Sequence, residues 1–157
     1  MVRLPKEALY TDDIVRLAKE LKIANFEGVK MRDEIKGKSK LNECGIINLN
    51  TSYQSGSHWT CFYNNANNND CYYFDSFGEP PPVELLKYLK SDSDFNQDLP
   101  SIKRNSLTVQ HDHSSECGSL CLYVLKQLSV GIPFPDIIIF LDKRYRKTPT
   151  TTLKCRV

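Results

Sequence analysis

The sequence predicts a single α+β domain. An amphipathic helical segment opens the chain, three short β-rich runs fill its middle, and its most apolar helix comes late. That order lacks the regular strand–helix alternation of a parallel α/β sheet. A chain of 157 residues suits one domain and can bury roughly two-thirds of its unfolded surface. Apolar residues make up 40% and charged residues 25%, as in ordinary soluble domains. The formal net charge of +2 does not by itself imply nucleic-acid or membrane binding.

The first element is TDDIVRLAKELK, with Thr11 expected as N-cap and Asp12 and Asp13 at the positive end of the helix dipole. Ile14, Leu17, Ala18 and Leu21 recur at helical spacing and form its buried face. Residues 24–43 show no clear period and read as an irregular connection. CGIINLN, HWTCFY and CYYFD read as strands, the last two as a hairpin around NNANNND. EPPPVELLKYLK starts a short helix, prolines being tolerated in the first turn. Residues 91–104 read as a polar loop and SLTVQ as a fourth strand. ECGSLCLYVLKQLSVG is the main helix, with Gly131 as its C-terminal cap. PDIIIFLDKR is a helix or a strand, which periodicity does not separate. The expected organisation is one domain over 1–142 and a flexible basic tail over 143–157.

A symmetric loop of Asn64–Asn69 places Tyr63 opposite Asp70, Trp59 opposite Phe74 and His58 opposite Asp75. Opposed residues on antiparallel strands have β-carbons ~5 Å apart, within reach of an imidazole–carboxylate bond. A carboxylate on one ring nitrogen leaves the other free as a base. The plainer alternative is an exposed cross-strand ion pair. Cys117 falls at the start of the main helix after Ser114 and Ser115, where the dipole and unpaired N–H groups favour a thiolate. Alternatively it is a small buried apolar residue. Gly118 permits close approach of backbone or substrate. Gln110 and the Cys117 N–H are candidate donors to an oxyanion.

Taken together, GSHW at 56–59, YYFDSFG at 72–78 followed by PPP at 80–82, and VQHDHSSECGSLC at 109–121 resemble the adenovirus-type cysteine proteases, or adenains. That family is related to the proteases of SUMO and other ubiquitin-like proteins. The resemblance implies a papain-like fold of the adenain type, with a central, mostly antiparallel sheet flanked by helices and the nucleophile at the start of the main helix. It implies Cys117 as nucleophile, His58 as base, Asp75 as its orienting acid and Gln110 in the oxyanion hole. Trp59 would line a narrow substrate channel that favours Gly beside the scissile bond, with core packing as the alternative. The acid is Asp, as in the SUMO-type relatives, rather than the adenovirus Glu. The loop near 91–105 lacks the cysteine that tethers the adenovirus activating peptide. The wording is closest to enzymes of small double-stranded DNA viruses and virophages. The implied task is cleavage of capsid or other viral structural precursor proteins during particle maturation, with no cofactor. An isopeptidase of ubiquitin-like conjugates and a non-catalytic binding module on the same fold are the alternatives.

A zinc cage of His111, His113, Cys117 and Cys121 is a competing reading, but H-x-H-x3-C-x3-C is not a common zinc spacing. His111 and His113 are expected in a solvated loop at the rim of the site. Cys44, Cys61, Cys71 and Cys155 read as packing or surface thiols, with Cys61 opposite Tyr72. The charged N-terminus and the absence of a long apolar run point to a reducing intracellular or virion setting, without membrane contact, and to a monomer. The basic tail, carrying Lys143, Arg144, Arg146, Lys147, Lys154 and Arg156, is a candidate DNA contact.

Overall fold

The computed structural model describes residues 1–53, 58–65, 70–89, 102–147 and 152–157. Gly56 and Ser57 of the GSHW motif, the tip of the hairpin loop and residues 91–101 of the expected polar loop lie outside these. The described elements are β1 (Val2–Arg3), α1 (Thr11–Glu20), β2 (Phe26–Met31), a 3-10 turn (Arg32–Glu34), β3 (Asn42–Asn48), β4 (Trp59–Asn65), β5 (Asp70–Phe74), α2 (Val83–Leu89), β6 (Ile102–Arg104), α3 (Cys117–Ser129), α4 (Phe134–Arg146) and β7 (Lys154–Cys155). The fold is α+β, as the sequence predicts.

A five-stranded sheet runs in the order β2-β3-β4-β5-β6. Its two central pairings are antiparallel, whereas β2 joins β3 and β6 joins β5 in parallel. The strand period of two sends alternate residues to two cores. Cys44, Ile46, Cys61 and Phe74 face the larger core beneath α1, α3 and α4. Ile47, Phe62, Cys71 and Tyr73 face a smaller one with Leu85, Tyr88 and Leu89 of α2. The sheet is therefore covered on both faces, and α3 packs directly on β4.

Several boundaries differ from the sequence reading. Thr11 is the first helical residue rather than the cap: Tyr10 holds that place, and its N–H donates to the Asp13 carboxylate at 3.0 Å. The expected irregular connection contains β2. Its period was hidden by Gly28, which has φ +101° and lies where the β2–β3 register shifts. SLTVQ is not a strand. The strand lies earlier, at Ile102–Arg104, and Val109 makes a backbone bond to Ser76 O at 2.8 Å. The main helix ends as expected at Gly131, with φ +87°. Gly131 N–H donates to Leu128 O and Ile132 N–H to Gln127 O, the paired bonds of a Schellman motif.

The segment PDIIIFLDKR is helical, and α4 continues through Arg146. Pro135 fits its first turn, and Phe134, Ile137, Ile138 and Leu141 face the core. The described residues of the expected flexible tail are therefore structured. Lys154–Cys155 pairs with Val2–Arg3, Leu153 and Cys155 are buried, and Arg144 points inward. The tail's periodicity was masked because its buried positions include an arginine and a cysteine. No described helix is long and apolar enough to cross a membrane.

Candidate active site

The hairpin brings His58 and Asp75 together by a register different from the expected one. Cys61 pairs with Phe74, Tyr63 with Tyr72 and Asn65 with Asp70. The expected pairs Tyr63–Asp70, Trp59–Phe74 and Cys61–Tyr72 are thus displaced by two residues. A slip of one would have sent the two side chains to opposite faces. A slip of two keeps them on one face as diagonal neighbours, still within reach of long side chains. His58 Nε2–H donates to Asp75 Oδ1 at 2.8 Å.

Asp75 is held through its backbone and through Oδ1, while Oδ2 is buried without a hydrogen-bond partner among the described residues. Its Oδ1 also accepts the Phe77 N–H at 2.8 Å, closing an Asx turn, and its carbonyl accepts the Gly78 N–H at 2.9 Å. Beyond the end of β5, the side chain of Asn105 replaces a neighbouring strand. Asn105 Oδ1 accepts the Asp75 N–H at 3.1 Å, while Nδ2 donates to the carbonyls of Asp75 and Leu107. Gly78 ends the turn at φ +76°, where a Cβ would stand 2.5 Å from the Ser106 carbonyl oxygen. The FDSFG wording thus combines an acid, its turn and a glycine that the turn requires. Phe77 packs its ring against His58, with centroids 4.9 Å apart.

Asp75 occupies Nε2, leaving Nδ1 of His58 for Cys117. Burial disfavours the imidazolium, but the bonds to Asp75 and Cys117 and their negative charge outweigh it and raise the His58 pKa to about 9. For Cys117 burial pushes the thiol up. The bond from His58, the N–H groups of Trp59 and Gly118, and the imidazolium charge outweigh it and lower the pKa. These opposite shifts favour a thiolate–imidazolium pair at the N-terminus of α3.

Gln110 is buried. Ser114 O is an acceptor only, so it must face Nε2, which donates to it at 2.8 Å. Gln110 Oε1 accepts the Ser76 hydroxyl at 2.6 Å. One Nε2 hydrogen is thereby committed and the other is available to the cleft. The Cys117 N–H, in the first turn of α3, is the second candidate donor.

A cleft of about 590 Å³ opens over His58, Gln110 and Cys117. Ala8, Leu9, Tyr10 and Met31 line it beside Trp59, and Phe77, Asp112, Ser114 and Ser115 also contribute. Trp59 is both wall and core: it is 8% exposed, and its indole N–H donates to Leu9 O at 2.9 Å. Gly118 is not in the cleft lining. It lies beneath Leu9 and Trp59, where a Cβ would be 3.2 Å from Leu9 Cβ and 3.3 Å from Trp59 Cδ1. The close approach expected at Gly118 is therefore that of the N-terminal segment, which Ser119 also ties through Pro5 O at 2.6 Å.

The four residues of the zinc reading do not converge. His111 and His113 are exposed, and His111 packs on Tyr145 with ring centroids 4.5 Å apart. Cys121 is buried and donates to Trp59 O at 3.4 Å, joining α3 to β4. Among the described residues no three His, Cys, Asp or Glu side chains cluster for a metal. All six thiols are free and buried. Ser76 and Phe77 lie inside YYFDSFG and Glu116 inside VQHDHSSECGSLC, but the sequence marks none of the three for the site; nothing local marks Asn105, and Arg144 stands out only as one of the tail's basic residues.

The chain is 32% identical over 98 residues to a protein of Acanthamoeba polyphaga mimivirus named as a thiol protease, R355. That match covers 59% of this chain and 32% of the relative, so the chain spans about a third of that protein's length. The crystal structure of the ASFV pS273R protease superposes with a TM-score of 0.56 at 14% identity, covering 92% of this chain and 68% of that one, a likeness of fold. Residues 13–157 match the model of the Ulp1 protease family, C-terminal catalytic domain. With that match spanning nearly all of the sequence, the chain belongs to the Ulp1 protease family of cysteine proteases.

Proposed function

We propose that the protein is a cysteine endopeptidase in which Cys117 is the nucleophile, His58 its acid–base partner and Asp75 the group that orients and charges His58. The observation that carries this reading is a single imidazole shared between a buried carboxylate at 2.8 Å and a thiol at a helix N-terminus. The thiolate attacks the peptide carbonyl. The tetrahedral oxyanion receives the free Gln110 Nε2–H and the Cys117 N–H. His58 Nδ1–H protonates the leaving amine as the C–N bond breaks, leaving a thioester. Neutral His58 then takes a proton from the water that hydrolyses it. Gln110→Ala slows kcat about 10²-fold with little change in KM, as expected for a donor that acts on the intermediate. Steady-state kinetics on a peptide substrate checks this.

The pair also sets a pH profile. The working form needs Cys117 deprotonated and His58 protonated. Activity therefore rises as pH passes the Cys117 pKa, which lies below its ordinary 9.0. It falls as His58 loses its proton near pH 9. A kcat/KM profile that continued to climb well above pH 9 would contradict this assignment.

We assign as substrate a viral structural precursor, cut at Gly-containing sites in infected cells or assembling particles. Similarity to a mimivirus protein named as a thiol protease supports a viral setting. The wall that Trp59 and Leu9 form in the cleft beside Cys117 supports small residues beside the scissile bond. The family match supports a second reading, cleavage of isopeptide bonds to ubiquitin-like proteins. Incubation with a Gly-rich peptide library and, in parallel, with ubiquitin-like conjugates decides between them once the products are sequenced. Internal cuts in the library with intact conjugates support the first reading, released modifiers support the second, and inert substrates throughout point to a binding module.

A further inference from the structure

We propose that Arg144 is a positioning residue of the oxyanion site, acting through Glu116 and Ser114 on Gln110. The inference rests on the catalytic reading above and extends it to a residue on α4 that does not line the cleft. Arg144 and Glu116 form a fork-to-fork pair: Nη2 donates to Oε1 at 2.7 Å and Nη1 to Oε2 at 3.4 Å. Their side chains are only 6% and 11% exposed. Removing two charges from water is costly, and such a pair is a weak source of stability compared with apolar packing. Its geometric effect is specific, because Glu116 immediately precedes Cys117.

From Glu116 the connection runs through a chain of hydrogen bonds. Glu116 Oε2 accepts the Ser114 hydroxyl at 3.3 Å, and Ser114 Oγ accepts the Glu116 N–H at 3.2 Å. The Ser114 N–H closes a turn onto His111 O at 2.9 Å, and the ring of His111 rests on Tyr145, the neighbour of Arg144. The Ser114 carbonyl is thereby aimed at Gln110 Nε2. It takes one amide hydrogen and leaves the other directed at the cleft. The pair has an electrostatic role as well. An uncompensated carboxylate beside Cys117 would compete for the helix dipole and repel both thiolate and oxyanion; Arg144 neutralises it in place.

The test uses the double variant Glu116→Gln/Arg144→Met, which removes both charges so that neither is left buried alone. Three quantities are measured: kcat, the rate of Cys117 alkylation by iodoacetamide, and hydrogen exchange of the Gln110 side-chain amide by NMR. Alkylation uses the thiolate but not the oxyanion donors. The proposal expects kcat to fall about tenfold or more, with KM and alkylation unchanged and faster exchange at Gln110. Arg144→Lys keeps the charge without the fork and gives a smaller change of the same pattern; it supplies the reading if the double variant melts early. Unchanged kcat and Gln110 exchange in folded variants would overturn the proposal. So would loss of kcat and alkylation together, which marks general damage to the helix start. If the parent protein does not cleave peptides, the catalytic reading fails, and the Gln110 exchange still decides whether Arg144 positions the amide.

Discussion

Cys117→Ala abolishes peptide cleavage while the protein stays folded. The loss is complete, not partial, because no other thiol has the same surroundings. Cys121 is fully buried one turn along α3 and its thiol is pushed up by burial. Cys44 is likewise pushed up, and the Cys71 thiol is raised to about 12. Alanine keeps the helix start, since it is the best helix former and the lost sulfur bonds only to the site. Circular dichroism and thermal melting verify the fold, and product analysis by mass spectrometry verifies the loss. Retained turnover would remove Cys117 from the mechanism.

Asp75→Asn has the second-largest effect. The amide keeps an acceptor for His58 Nε2–H but loses the charge. Burial, the largest influence on His58, is then opposed by the Cys117 bond and charge alone, and the imidazole drops below about 9. A neighbouring opposite charge is worth about one to three pKa units, so the ion pair weakens by about 10–10³-fold. The sign follows from the protonated form being the working one: the alkaline limb of kcat/KM moves to lower pH by about one to three units. The thiol rises in turn, because its cationic partner is gone. A variant whose pH profile overlays that of the parent would show that Asp75 does not set the charge on His58.

The candidate residues of this site are legible in the sequence, and the scaffolding that positions them is not. His58, Asp75, Gln110 and Cys117 stand in motifs whose residue types suit one reaction; the fold brings His58, Gln110 and Cys117 to one cleft and buries Asp75 behind His58. The hairpin register was expected two residues away from the observed one. The face of each side chain survived because a strand alternates with period two. α1, the hairpin strands and α3 announced themselves through strong periodicity or a clear cap. β2 did not, because a positive-φ glycine and a register shift interrupt it. Asn105 was invisible for another reason: it bonds Asp75 across thirty residues of chain, and a polar residue after a short strand reads as a turn. Arg144 looked like one more basic residue of a tail, and only tertiary packing against Glu116 distinguishes it from its exposed neighbours. Among the residues proposed to meet substrate, Trp59 reaches the cleft, whereas Gly118 is covered by Leu9.

Catalysis through a thioester at Cys117 is tested most directly by trapping that intermediate. A peptide ester ending in Gly is mixed with the protein in a single turnover, quenched in acid and analysed by intact and peptide mass spectrometry. One acyl group per chain is expected, located on Cys117, released by hydroxylamine and absent from Cys117→Ala. Acylation of a different cysteine, or hydrolysis of the peptide with Cys117 never acylated, would contradict it.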